Sequence, residues 1–231
     1  RTPLILIRPE MDQEEMAQTF QKYHMASAPV VDEAGRIKGM VTVDDIVDVI
    51  REEAEHSVLS MAGLADEEDV FAAVVPSARR RLVWLGVNIL TAFLGAFVVS
   101  NFEGTIERVA VLAALLPVVS SMGGIAGTQT VTLLIRGIAL GKVEWANARW
   151  LLFKEIAVGG LNGMIVAFAV GVITIVLFGR WQVAAIVAAA MLMNLLAAAT
   201  VGVVVPLALR RLRIDPALSA GACSETIVAA L

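Results

Sequence analysis

Hydrophobic residues are distributed very differently in the two halves of this chain. Up to about residue 81 they alternate with polar residues over short distances, which is typical of a small domain with strands and amphipathic helices. Beyond that point they form charge-free runs at 82–100, 156–178 and 183–209. Each run reaches the roughly 18–20 residues that a helix needs to cross a hydrocarbon core of about 30 Å. Because a bilayer offers no water to exposed peptide groups, these runs predict membrane-spanning helices.

The first half predicts a helix, a hairpin and a second helix. Acidic residues from Asp12 onward precede Met16, Phe20 and Tyr23 at helical spacing, which favours a helix start near Asp12. The elements predicted next are a strand at 28–31, a turn at 32–35, a strand at 36–43 and a helix from 46 to about 55, capped by residues 42–45. A further apolar strand is expected at Thr2–Ile7.

The stretch 53–81 alternates acidic with apolar residues and predicts an amphipathic connecting helix, broken near Gly63 and ending at Pro76. The predicted fold is therefore multi-domain: a small α/β half-module, a connecting helix and an all-α transmembrane bundle of about five helices. The predicted domains are 1–52, 53–81 and 82–231, with spans at about 82–100, 109–139, 156–178, 183–209 and, incompletely, 217–231.

Charge predicts the orientation and excludes some functions. Of 231 residues 58% are hydrophobic and only 17% are charged, and the basic residues crowd alternate membrane loops. These are Arg79, Arg80 and Arg81, then Lys142, Arg149 and Lys154, then Arg210, Arg211 and Arg213. Because basic loops stay on the cytoplasmic side, the first half is expected in the cytoplasm. This distribution does not suggest nucleic acid, and no catalytic motif accompanies the two histidines, so no enzyme is predicted.

The second predicted span contains polar and glycine residues at mid-membrane. Pro117 is followed by Gly123, Gly124 and Gly127, which we expect to break the helix and free carbonyl groups. Two interpretations stay open: tight helix packing through small residues, or the lining of a pore. The second is favoured by the neighbouring polar residues Ser120, Ser121, Thr128, Gln129, Thr130 and Thr132.

Isolated polar residues occur in other spans. Asn88, Asn162 and Asn194 are expected to form hydrogen bonds between helices, and Glu155 is expected to pair with Lys154 at the interface.

The acidic residues of the first half have two interpretations, a solvated surface or a binding site for Mg²⁺, which prefers oxygen ligands. They are Asp12, Glu14, Asp32, Asp45, Asp48, Glu52, Glu53 and Glu55.

The segment Ala28–Ile46 resembles the second motif of a cystathionine-β-synthase (CBS) pair, whose first copy would lie upstream of Arg1. The resemblance implies that Thr42 and Asp45 hold the ribose of a nucleotide, although the same two residues also suit a helix cap.

The stretches 116–141, 153–155 and 210–218 resemble the MgtE (SLC41-like) magnesium transporters and channels. The resemblance implies a homodimer with five spans per subunit, in which Mg²⁺ between cytosolic acidic faces holds connecting "plug" helices and closes the pore. By this resemblance the regulatory Mg²⁺ ligands are Asp12, Glu14, Asp45, Asp48 and Glu53. The pore residues are Asp215 and the segment containing Gly123, Gly124, Gly127, Thr128 and Gln129.

Three positions depart from the family pattern. His24 replaces an acid, Ile125 replaces an asparagine, and Ala229 occupies the position of the pore aspartate. Either Glu225, one turn earlier, supplies the missing carboxylate, or the last span is truncated or altered there.

The predicted function is a Mg²⁺-gated transporter or channel for Mg²⁺ in a bacterial plasma (inner) membrane. The alternatives are a nucleotide-sensing CBS module tethered to a membrane scaffold, or an inactive truncated paralogue.

Overall fold

The structure, a computed structural model, describes residues 5–64, 71, 73–140, 142–143, 147–212 and 216, apart from the side chains of Glu14 and Arg108. In chain order the elements are α1 (Gln13–Tyr23), β1 (Ser27–Val31), β2 (Ile37–Thr42), α2 (Val43–Met61), α3 (Val74–Ser100), α4 (Glu103–Arg108), α5 (Ala110–Ala139), α6 (Ala148–Phe178) and α7 (Trp181–Arg211). A small α/β module followed by a helical region confirms the predicted fold class. The span predicted at 217–231 lies outside the described residues.

The predicted hairpin is confirmed. β1 and β2 pair antiparallel, with Ser27 opposite Thr42 and an irregularity between Val30 and Val31. At the turn, Asp32 Oδ1 accepts hydrogen bonds from the backbone N–H groups of Ala34 (3.0 Å) and Arg36 (2.9 Å). Gly35 adopts a φ of 74°, which glycine reaches without the steric cost of a side chain.

One small core holds this module together. Its buried members are Ile7, Ala17, Phe20, Ala28 and Ile46. Ile7 forms an isolated parallel bridge with Val30 instead of the strand expected at Thr2–Ile7, of which residues 1–4 lie outside the described part. Helix α1, the hairpin and the start of α2 are therefore packed on one another.

Helix α2 is longer than the sequence pattern predicted. It continues past Glu55 to Met61 and ends where Gly63 takes a φ of 69°. There the N–H of Leu64 donates to Leu59 O at 2.9 Å, a bond that satisfies an end carbonyl. A Cβ at Gly63 would lie 2.1 Å from Trp84 Nε1 of α3, so only glycine fits under that indole ring. The break expected near Gly63 is therefore present.

The helix end expected at Pro76 is wrong, because Pro76 lies in the first turn of α3, which begins at Val74. The missing N–H of proline costs nothing at that position, since the first N–H groups of a helix have no partner within it.

Among the described residues, four helices are long and apolar enough to cross a membrane, judged by length and composition: α3, α5, α6 and α7. The protein is thus a multi-pass membrane protein. Helices α5, α6 and α7 pack on one another, with α7 making the most extensive contacts, while α4 is a short helix between α3 and α5.

The break expected at the glycine-rich stretch is also wrong. Helix α5 runs without interruption from Ala110 to Ala139, through Pro117 and all three glycines. Glycine disfavours a helix only by about 1 kcal/mol relative to alanine, and proline is tolerated in membrane helices that neighbouring groups support.

Candidate functional site

One face of α5 packs closely against α7 through small residues. Gly123, Gly124 and Gly127 are all buried. A Cβ at Gly202 of α7 would lie 2.9 Å from Thr130 Cβ and 3.3 Å from Gly127 O, tighter than almost all real contacts. The backbones therefore approach more closely than larger side chains would permit, as small residues allow in membrane helices. The packing interpretation thus has direct structural support at Gly127, and Gly123 and Gly124 are buried on the same helix.

The opposite face of α5 is polar, and its residues are exposed in the part of the chain that the structure describes. Ser121, Ile125, Thr128 and Thr132 recur at intervals of three or four residues, which places them on one side of the helix. All four are exposed, and so is Gln129 beside them. The predicted pore residues are therefore divided between two faces: the three glycines are buried, with Gly127 against α7, whereas Thr128 and Gln129 are exposed. Thr130, grouped with the polar lining from sequence, is buried against Gly202.

Two of the predicted interhelical amides behave differently. Asn194 of α7 is buried and its Nδ2 donates to Val119 O of α5, as expected. Its Oδ1 has no hydrogen-bond partner within the described part of the chain. Asn88 instead donates to Trp84 O of its own helix at 2.9 Å, and the interhelical role expected for it stays a prediction. The two positions differ because no described helix packs extensively on α3 near Asn88.

The predicted Lys154–Glu155 pair is present, with Nζ and Oε1 3.1 Å apart. Its environment was not foreseen, since Glu155 is 7% exposed. The signal was available: Gly163, Ala167 and Gly171 follow Glu155 on the buried face of α6. A stripe of small residues at four-residue spacing marks a packed helix face, and extending it backwards reaches Glu155.

The predicted cytosolic metal ligands are dispersed. Asp12 lies just ahead of α1, Glu14 lies on α1, and Asp45, Asp48 and Glu53 lie along α2. Across the described ranges, no group of three or more histidine, cysteine, aspartate or glutamate residues is arranged to hold a metal ion. The described acids therefore do not converge on a single site.

Asp45 and Thr42 form a helix cap. The N–H and the hydroxyl of Thr42 both donate to Asp45 Oδ2, each at 2.8 Å. The backbone bond first, and the hydroxyl bond second, lower the pKa of Asp45 because they favour its ionised form. Both residues predicted to hold a nucleotide are therefore engaged with each other at the start of α2.

The α/β module, through the end of α2, contacts helix α5 directly. Met61, at the end of α2, packs on the buried Val131 and Ile135 of α5. Nearby, Glu53 of α2 and Arg136 of α5 line the same cavity of about 480 Å³. Sequence periodicity alone did not reveal this contact, because it joins residues that are distant along the chain. The predicted pore acids Asp215 and Glu225 lie outside the described residues.

Together these features define a class: a multi-pass membrane protein whose small α/β module rests on a spanning helix with a polar face. A family model for CBS domains matches residues 1–52, and the model described as "MgtE: Divalent cation transporter" matches residues 116–228. The helical region of the chain is thus similar to the MgtE divalent cation transporters, and its first residues are similar to CBS domains.

Curated relatives agree over most of the chain. Proteins named magnesium transporter MgtE are 34% identical over 217 residues in Thermus thermophilus, 30% over 220 in Enterococcus faecalis and 29% over 216 in Bacillus subtilis. The alignments cover 93%, 94% and 94% of this chain, respectively, and 48% of each relative. The chain thus spans about half the length of the curated relatives it matches.

Proposed function

We propose that the protein transports Mg²⁺ across the membrane, through a pathway on the uncovered polar face of α5. The observation that carries this proposal is the exposure of Thr128, Gln129 and Thr132 on a helix that spans the bilayer. Polar groups facing lipid are costly, and polar residues in spans generally face a pathway or another helix. The printed names of the relatives support Mg²⁺ as the ion.

The chemistry of this face suits a hydrated divalent ion. Mg²⁺ loses its waters reluctantly and binds few carboxylates. Hydroxyl and amide oxygens, as on Thr128 and Gln129, accept hydrogen bonds from the waters of the ion without holding it too tightly to leave. A second copy of the chain, packed with its own α5 opposite this polar face, would enclose the pathway. We propose a homodimer on this basis.

Mg²⁺ uptake into proteoliposomes, followed with an enclosed fluorescent indicator, tests the pathway. Replacing Gln129 by Leu together with Thr128 by Val is expected to lower the uptake rate by at least about tenfold, since removing polar pore groups raises the barrier for a hydrated ion. The matched control is Thr200→Val, whose hydroxyl donates only to Leu196 O of its own helix. Wild-type vesicles that admit no divalent cation would rule out transport. Equal Mg²⁺ uptake rates in the wild type and all variants would show that the pathway does not run along this face of α5.

We further propose that cytosolic Mg²⁺ regulates the pathway through α2. Asp48 and Glu53 lie on this helix, and the same rigid element ends in Met61 against α5. Because the acids are dispersed in one chain, the regulatory ion is proposed to bind between two subunits, where facing acids repel one another until a cation is bound. The metal-bound and metal-free arrangements are then two states with different affinities for Mg²⁺.

Protease protection tests this regulation in the membrane-embedded protein. Millimolar Mg²⁺ is expected to slow cleavage between the cytosolic module and α3, because the bound ion holds α2 in place. The double variant Asp48→Asn, Glu53→Gln is expected to lose this protection. Glu33→Gln, an exposed acid in the hairpin turn, serves as the control and should keep it. Identical cleavage of the wild type with and without Mg²⁺ would contradict the proposal.

A further inference from the structure

A second cavity lies away from the polar face of α5, at the end of the bundle that carries the cytosolic module. It has a volume of about 260 Å³ and is lined by the end of α5, by Lys142, Val143 and Asn147 ahead of α6, by the first turns of α6, and by α7. Lys142, Lys154 and Glu155 supply its charged groups, so among its described lining residues two cations face one anion. Val143 is held in place, because Arg210 Nη1 donates to Val143 O at 2.8 Å.

The two lysines of this cavity differ in their surroundings. Glu155 is buried and pairs with Lys154 at 3.1 Å, which orients that ammonium group and neutralises one of the two positive charges. Lys142 is exposed and supplies the excess cation. An ammonium group has three donors, so Lys154 keeps donors for a further acceptor while it is bound to Glu155. An acceptor with negative charge therefore fits the cavity better than a neutral or positive one.

The walls of the cavity suit a lipid. Leu133, Leu151 and Val203 line it beside the lysines, and Trp150, at its rim, is 68% exposed. Tryptophan favours the boundary between headgroups and acyl chains, and basic pockets between spanning helices bind anionic headgroups. Cationic groups at one end and apolar walls at the other match a phosphate joined to acyl chains.

From this geometry we infer that the cavity binds an anionic phospholipid from the surrounding leaflet, its phosphate between Lys142 and Lys154. The lipid would sit between α5, α6 and α7 and stabilise the packed end of the bundle. This inference does not depend on the transported ion, so a failure of transport leaves it intact.

Native mass spectrometry of the purified protein tests the site. Protein delipidated in detergent is given phosphatidylglycerol, phosphatidylcholine or inorganic phosphate, and the bound species are counted. The wild type is expected to retain phosphatidylglycerol in preference to phosphatidylcholine. Lys142→Gln is expected to weaken phosphatidylglycerol binding about fivefold, since one lysine near an anionic headgroup contributes about a kilocalorie per mole.

Arg149→Gln is the matched control, because Arg149 is exposed in the first turn of α6 but is absent from the cavity lining. It removes the same charge and is expected to leave retention unchanged. Lys142 is chosen over Lys154 because its loss leaves the buried Glu155 paired, and a thermal melt of each variant verifies folding. Equal retention by the two variants would overturn the inference. Competition by millimolar inorganic phosphate that displaces the lipid completely would assign the site to an aqueous anion instead.

Discussion

Helices α3 and α7 are equally apolar, yet they have opposite environments. Both have a mean hydropathy of 2.2 over their best window, but 39% of that window is buried in α7 and only 6% in α3. Hydropathy therefore identifies which helices enter a membrane and says nothing about which of them pack together. In lipid the hydrophobic effect does not distinguish a neighbouring helix from an acyl chain.

Small residues account for the difference. The glycines of α5 and α6 lie against α7: a Cβ at Gly159 would lie 2.8 Å from Ala199 Cβ, and one at Gly163 would lie 2.8 Å from Leu192 Cδ1. Helix α3 also has glycines, but a Cβ at Gly86 or Gly95 would meet nothing within 4 Å. The bare surface of α3 includes Leu90 and Phe93, which are 73% and 71% exposed. A glycine thus marks a contact only where a partner helix approaches it.

Enlarging a glycine gives the largest expected contrast between the two helices. Gly202→Leu is expected to destabilise the bundle by about 1–3 kcal/mol, because overpacking forces α5 and α7 apart. Gly86→Leu on α3 should not destabilise the protein, since the site is open. Thermal denaturation of the detergent-solubilised variants, followed by size-exclusion chromatography, compares them. Equal losses in both variants would mean that α3 is packed as closely as α7.

Removing an amide from each helix gives a smaller contrast. Asn194→Ala deletes the hydrogen bond to Val119 O, and such interhelical bonds contribute about 0.6 kcal/mol on average and at most about 1.7. Asn88→Ala removes only a bond to Trp84 O within the same helix, so its effect should be smaller. The same thermal assay measures both. A larger effect at Asn88 would show that another helix or subunit relies on that amide.

The smallest expected effect lies outside the membrane, at the start of α2. The pKa of Asp45 is lowered by its hydrogen bonds to Thr42. The cap therefore stabilises the helix fully at pH values above the ordinary pKa of a carboxyl group, and this stabilisation is lost as the pH falls through the lowered pKa. The rate of hydrogen exchange at amides 43–46 of the wild type, divided by the rate in the Asp45→Asn variant at the same pH, should rise at acidic pH. Asp44→Asn, the neighbouring acid, should behave like the wild type. A ratio of wild-type to Asp45→Asn exchange rates that does not change with pH would contradict the assigned cap.

Local features were predictable from sequence. The hairpin at Ser27–Thr42 and the cap at Thr42 depend on residues within a few positions of each other, and both are confirmed. Helix ends were less predictable, since Pro76 suits a helix start as well as a stop. The hydrogen-bond partner of Asn194, Val119 O, lies 75 residues away, and the residues around Asn194 do not predict it.

The amino-acid sequence by itself determined how many described helices are long enough to span the bilayer and which residues are polar within them. Only the tertiary structure decided which face of α5 meets α7 and that Thr128 and Gln129 are exposed. The physical reason is that lipid and a neighbouring helix are both apolar, so hydropathy does not distinguish the sides of a spanning helix that face them. The close approach of another helix selects the face that packs.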